Sequence, residues 1–417
     1  MMPLTLALVL CCQETAPQPD VKALVARIDG KDPEACFDAV ARLADLPASA
    51  RAEIDAAVAA MPDELAFYKS ALAEELKTRD RLGDKYTREA RVTIDAKDKQ
   101  PSEILRDIME QSKDRVESTW AFQGGGGQQP VTMKLDNVPY LAALRTLCKE
   151  AKLRIYSYGG ALTLYRGGGD GGPTFQYRNH LVTIDSVQRN RRVTFGAGEK
   201  RSLILSGQVL CDMRANVVDL SKVEAIEAVD DKGRKLDVLP DDKPDTLADE
   251  SAENAANANP HLGLTMTLAP PEKGVEKIAR VRAQVVLHVP RTTSRYVVPA
   301  DKPEKASDEH FEVSVESTTT VHRQIHTIVR VRPKGDLKAF LEMPVQIRMK
   351  TKDGTERPCY ANGKVAGGAV EYTAQRYQTA EEQMQGRVPE LESVVIMVHR
   401  ETVERRIAIE FRDIPVE

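Results

Sequence analysis

Aromatic side chains are scarce: they make up 5 % of the 417 residues, and Trp120 is the single tryptophan. That leaves little for a surface that stacks sugars or single-stranded nucleic acid, because both depend on exposed rings. Charge of one sign does not accumulate either. Lys and Arg total 59 against 63 Asp and Glu, a net charge of -4, so bulk electrostatics does not draw the chain to nucleic acid. Cysteines are few. Beyond Cys11 and Cys12 there are only Cys36, Cys148, Cys211 and Cys359, widely spaced and without a CxxC. This pattern excludes a dense disulfide framework and the usual zinc and redox motifs. Buried free thiols account for it, with a Cys211–Cys359 bridge left open for an oxidising compartment. After the N-terminus no apolar run is long enough for a transmembrane helix.

What is present begins with a leader. Residues 1–12 run Met-Met-Pro-Leu-Thr-Leu-Ala-Leu-Val-Leu-Cys-Cys and turn polar at Gln13-Glu14. A short apolar run closed by small residues fits a secretory signal peptide, although no Lys or Arg precedes Leu4. The reading is export to the periplasm or cell envelope. Cys12 is the candidate lipid-attachment residue, since bulky Leu10 just before Cys11 disfavours that position.

Residues 20–82 carry helical periodicity. Val21, Leu24, Val25 and Ile28 share one face, and Gly30 is read as the stop. Asp32-Pro33-Glu34 supplies a cap, a first-turn proline and a first-turn acid for the next helix, which carries Phe37, Val40, Leu43 and Ala44. Ile54, Ala57, Val58 and Met61 form a third stripe. Pro62-Asp63-Glu64 opens a fourth helix with Leu65, Tyr68, Leu72 and Leu76. The set resembles one or two HEAT-like repeats.

The period changes after Gly83. Val92 and Ile94 alternate as in a strand, and Gln100-Pro101 opens a helix carrying Ile104, Leu105, Ile108 and Met109. Gly124 to Gly127 separate it from a strand with Val131, Met133 and Leu135. Asp136 or Asn137 is read as the cap of a helix bearing Leu141, Leu144, Leu147 and Cys148. Leu153 and Ile155 start a strand that turns at Gly159-Gly160 and returns through Leu162 and Leu164. Over residues 88–166, the segments VTIDAKDKQPSEILRDIMEQS and VTMKLDNVPYLAALRTLCKEAKLRIYSYGGALTLY resemble the short N-terminal domain shared by secretins and TonB-dependent transducers. The resemblance implies a βαββαββ module, two helices packed on two small sheets, that docks other proteins in the periplasm. The glycine-rich loop before Val131 departs from that family. So does the chain after Arg166, where nothing resembles a secretin repeat or an outer-membrane barrel.

Residues 167–173, Gly-Gly-Gly-Asp-Gly-Gly-Pro, read as a flexible linker. Beyond them the sequence is β-rich. Leu181 to Ile184, Leu203 to Leu205, Val281 to Val289 and Ile325 to Val331 are apolar, β-branched runs, while Asp230-Asp231-Lys232-Gly233 and Lys352-Asp353-Gly354 are turn sequences. Residues 240–261 are polar, acidic and proline-broken, and read as a disordered insertion. The expected architecture is multidomain α+β: signal peptide 1–12, helical bundle 20–82, module 88–166, and one or two antiparallel β-sandwiches at 174–290 and 291–417.

Reaction chemistry is thinly marked. His322 and His326 look like a metal pair, but in a single strand four residues span about 13 Å, too far for two ligands of one zinc. Arg189, Arg191 and Arg192 beside Asn190 read as a solvated hairpin tip. The glycine runs lack the Lys-Ser/Thr of a phosphate loop. There is no GxSxG or HExxH, and Asp230-Asp231 and Glu381-Glu382 lie in turn and polar sequence. No catalytic, cofactor-binding or metal-binding residue is nominated. The expected function is a non-catalytic interaction or scaffold protein with a protein partner in the cell envelope and no nucleic acid, associated with the outer membrane through a lipid anchor or a complex. The alternatives are an accessory component of an outer-membrane secretion or uptake complex, and a carbohydrate-active β-sandwich enzyme.

Overall fold

The computed structural model describes residues 20–83, 89–112, 116–117, 129–158, 161–167, 172–194, 198–211, 217–240, 262–302, 304–321, 324–376, 382 and 388–416. The leader and its Cys12, the glycine run at 124–127, Gly159-Gly160 and the insertion from residue 241 to 261 lie outside the described residues. The chain is mixed α+β, with a helical N-terminal region followed by antiparallel sheets. It divides into two compact units, Met1–Ala73 and Glu74–Glu417.

The first unit is helical. Helix α1 (Val21–Ala26) is capped by the Asp20 carboxylate, and α2 (Pro33–Asp45) by Asp32, which accepts from the amides of Glu34 and Ala35. Helices α3 (Arg51–Ala59) and α4 (Ala66–Leu82) follow, each entered through a short 3-10 turn. Gly30 does not end α1. The Arg27 and Ile28 amides bond three residues back to Leu24 and Val25, so the helix has already tightened and closed, and Gly30 makes the next turn at φ 75°. Phe37 meets the edges of Phe67 and Tyr68 at 6.0 and 5.3 Å in the core of this unit.

In the second unit the order is β1 (Arg91–Lys99), α5 (Pro101–Ser112), β2 (Val116–Glu117), β3 (Val131–Pro139), α6 (Tyr140–Ala151), β4 (Leu153–Tyr158) and β5 (Ala161–Arg166). Strands β1 and β3 pair antiparallel. A separate sheet has the order β2-β5-β4, with β2 parallel to β5. Leu144, Leu147, Ile104 and Ile108 are fully buried between the helices and these strands. Two local readings need correction. Neither Asp136 nor Asn137 caps α6: β3 runs on to Pro139, which stands at the cap position without a side-chain bond, and the Tyr140 amide bonds Ala90 instead. The segment read as a flexible linker, of which 168–171 lie outside the described residues, does not separate the packing before it from that after it. Leu181 and Leu210, from the strands that follow, belong to the module's own apolar core. At the linker's end a Cβ on Gly172 would lie 1.7 Å from the Ile184 carbonyl, and Ile184 bonds back to Pro173.

The remaining strands are β6 (Thr174–Tyr177), β7 (His180–Thr194), β8 (Gly198–Cys211), β9 (Asp219–Asp230), β10 (Lys235–Leu236), β11 (Gly263–Leu268), β12 (Lys277–Pro299), β13 (Lys305–Ser307), β14 (Phe311–Val321) and β15 (Gln324–Pro333). After helix α7 (Leu337–Leu341) come β16 (Val345–Thr351), β17 (Glu356–Pro358), β18 (Tyr360–Ala366), β19 (Ala369–Arg376) and β20 (Leu391–Pro415). They form sheets ordered β11-β8-β7-β6, β13-β14-β15-β19-β18 and β10-β9-β12-β20-β16-β17. The last is built on two long strands, β12 and β20, paired from Lys277↔Pro415 to Pro299↔Ser393. Strand β9 covers one end of β12, and β16 covers the opposite end of the ribbon, along β20. One end faces the β6–β8 sheet, with Phe175 against Phe411 at 6.3 Å. The other shares an apolar core with the β13–β19 sheet, where Val329, Val394 and Ile396 are fully buried.

A division at residue 290 therefore does not hold. Strand β12 passes through it with only a bulge at Pro290–Thr293, and residues 402–415 return to pair with 277–290. Pro290 fits because β9 has already ended opposite His288, so no third strand needs its missing N–H.

Candidate functional site

Among the described residues, two groups of side chains able to do acid–base chemistry stand out, the first enclosed and the second partly exposed. The first lies within the second unit, where the α4 residues from Glu74 onward reach the sheets. Glu75, 1 % exposed, takes Arg178 Nε at 2.5 Å and has Arg405 Nη2 at 3.8 Å. Arg178 sits in the β6–β7 turn at φ 48°, and Arg405 projects inward from β20. Arg405 also donates to Asn179 Oδ1 at 3.4 Å. Burial, then the charges of Arg405 and Arg178, push His180 well below its ordinary pKa, so its ring is neutral. Burial and then Glu75 push the Tyr177 phenol upward. With every member enclosed, the group can hold elements together but presents no nucleophile or base to a substrate.

The second lies where β12 and β20 cross from one stack of sheets to the next. Thr293 Oγ1 lies 2.9 Å from His399 Nδ1, and burial, aided by Arg348, lowers the His399 pKa to about 4. Burial raises Asp308, but the Tyr296 and Ser294 hydroxyls and the amides of Phe311 and His310 outweigh it. They hold the carboxyl well below the usual range. Asp308 is thus a fixed anion that shapes the turn into β14, its acceptor sites already used.

The residues singled out in the sequence do not converge. Arg189, Asn190, Arg191 and Arg192 are not at a tip. They lie within β7, opposite Leu203, Ser202, Arg201 and Lys200, and Arg189 donates to the Val416 carbonyl at 2.8 Å. The segment holding His326 is not one strand but a hairpin. Strand β14 ends at Val321 and β15 begins at Gln324, with His322 outside the described residues, so the two histidines are not spaced four residues along one strand. Among the described residues no three His, Cys, Asp or Glu side chains cluster as metal ligands would. Cys36, Cys148, Cys211 and Cys359 are free thiols. Glu382, from the polar stretch, pairs with buried Arg376 at 2.6 Å. The Glu75 group left no mark in the sequence, because Glu75 stands 103 residues before Arg178 and 330 before Arg405.

No protein-family model, curated protein or solved structure matches the chain.

The small sheets of residues 91–166 differ in how their edges end. On β1, the Gln111 side chain reaches from α5 and satisfies the Thr93 backbone twice, accepting from its N–H and donating to its C=O, both at 2.9 Å. An amide used this way imitates a neighbouring strand and closes the edge at that point. On β4 nothing comparable occurs. Gly167 N–H donates to Lys152 O, and bonding pairs alternate in an antiparallel ladder, so Arg154 and Tyr156 face β5 through their backbones. The backbone groups of Leu153 and Ile155 then point to the open side, where no described residue bonds them. Tyr156 and Tyr165 meet edge-on at 5.7 Å on the outer face beside that edge.

Proposed function

We propose that this chain is an exported, non-catalytic cell-envelope protein whose βαββαββ module docks a protein partner by adding the partner's strand to β4. The observation that carries this reading is the contrast between the two edges: β1 is closed by Gln111, while β4 is left open beside a tyrosine pair. The strand and helix order of residues 91–166, with its division into two small sheets, supports the resemblance to the short domain of secretins and TonB-dependent transducers. The leader at residues 1–12 supports export, with Cys12 as its lipid-attachment candidate. In this reading the long strands form two β-sandwiches that serve as a rigid base, and the module acts from that base, since Leu181 and Leu210 tie the two together.

Deleting the module would strip part of the apolar core and blur the result, so the test is a point change. Ile155→Pro removes an outward N–H from an edge strand, where proline is tolerated. A photo-crosslinking residue at position 156 should capture a cell-envelope protein in a membrane extract, and Ile155→Pro should abolish capture while far-UV circular dichroism stays unchanged. Capture that survives Ile155→Pro would place the contact elsewhere.

A further inference from the structure

The charge around the open edge points to the chemistry of the partner. Lys149 and Lys152 are exposed at the C-terminal end of α6, Arg154 on β4 and Arg166 at the far end of β5. Between residues 149 and 166 stand four basic residues and one acid, Glu150, within a chain whose net charge is -4. No described carboxylate pairs with Lys149, Lys152 or Arg154. Other basic residues in the module do find acids: Lys99 pairs with Asp107 at 3.1 Å and Lys134 with Asp95 at 3.6 Å. Helix polarity accounts for two lysines at the end of α6, but not for Arg154 on β4.

The faces of β4 set a pattern. Arg154 and Tyr156 share the outer face, and Leu153 and Ile155 the inner one, where Ile155 packs against the module core while remaining partly exposed. A strand laid beside β4 meets the same alternation. Side chains on its outer face come next to Arg154 and those on its inner face next to Ile155.

We infer that the segment received by β4 is an extended peptide alternating acidic and apolar residues, acids toward Arg154 and Lys152, apolar side chains toward Ile155. This rests on the docking role proposed above and adds the partner's chemistry. Main-chain bonds to Leu153 and Ile155 would supply the register, and the basic residues would select the sequence.

The test uses the full chain and fluorescein-labelled decapeptides followed by fluorescence anisotropy. The probes are alternating Glu–Val, Thr–Val and Lys–Val, together with Glu–Val N-methylated at every second residue. Glu–Val should bind, more weakly as salt rises. Thr–Val should bind less well, and neither Lys–Val nor the N-methylated peptide should bind. Arg154→Glu should weaken Glu–Val binding by about fivefold or more, the scale of one exposed ion pair. Equal binding of Thr–Val and Glu–Val, with none by the N-methylated peptide, would overturn the acidic preference and leave edge docking standing. Binding that ignores N-methylation, or that phosphatidylglycerol vesicles match, would show simple anion adsorption and overturn both. If no peptide binds while Ile155→Pro still abolishes crosslinking, the partner's chemistry is wrong and the docking role survives.

Discussion

Neutralising Glu75 tests whether the enclosed Glu75–Arg178–Arg405 group holds the second unit together. The carboxylate is 1 % exposed, and the side chains of Arg178 and Arg405 are 2 % and 0 % exposed, so water screens none of the three. Glu75→Gln keeps the shape but leaves two guanidiniums facing an uncharged amide. Removing one partner from a buried ion pair costs about 3–5 kcal/mol, because the remaining charge stays desolvated. That is a large part of the ~5–15 kcal/mol that holds a typical domain folded. The assay is urea unfolding of wild type and variant, followed by circular dichroism. Glu74→Gln is the internal control: Glu74 sits one residue away on α4, 27 % exposed and 3.5 Å from Lys77. An exposed pair of that kind should cost under about 0.5 kcal/mol. Replacing all three members at once, with Glu75→Leu, Arg178→Met and Arg405→Met, should recover much of the loss, since apolar residues of similar volume need no desolvation of charge. A Glu75→Gln cost no larger than that of Glu74→Gln would refute the reasoning.

Three further outcomes are expected. His399, with a folded pKa of about 4 against an unfolded value near 6.5, remains neutral where the unfolded chain takes up a proton. Stability should therefore be full above about pH 6.5 and fall by roughly 3 kcal/mol on acidification to pH 4, with His180 acting in the same direction; His399→Gln should reduce that slope in urea melts at several pH values. Leu144, fully buried on α6, should cost about 3–5 kcal/mol as Leu144→Ala, and Leu144→Asp should abolish the module's near-UV signal; an unchanged spectrum would remove Leu144 from the core. Burial pushes the Cys148 and Cys359 thiols up to about 12, so neither should react with a thiol reagent at pH 8 until the protein is unfolded, as mass spectrometry of labelled peptides would report.

Local chemistry made much of the fold legible. Asp32-Pro33-Glu34 starts a helix because the cap, the fixed φ and the acid all act within one turn. The stripes at Ile104–Ile108 and Leu141–Leu147 lie on buried faces because a helix brings positions three and four apart together. Polar stretches misled in opposite directions at two places, once as a false break and once as a missed one. The arginines at 189–192 do not turn the chain, since the Lys200–Leu203 segment pairs beside them and satisfies the backbone. Threonine and valine on both sides of His322 and His326 read as one continuous strand, whereas β14 and β15 are two strands paired antiparallel, with Val321 opposite Gln324.

By itself the sequence determined the helical start and the change to a mixed α+β, largely antiparallel β remainder, because periodicity and turn residues act over a few neighbours. Tertiary structure alone decided three things. It ran β12 and β20 through both stacks, an arrangement set by pairing between residues 94 to 138 positions apart. It brought Glu75 between Arg178 and Arg405, which share no local pattern. And it closed β1 with Gln111 while leaving β4 open, since an edge exists only once every strand has found, or lacks, its neighbour.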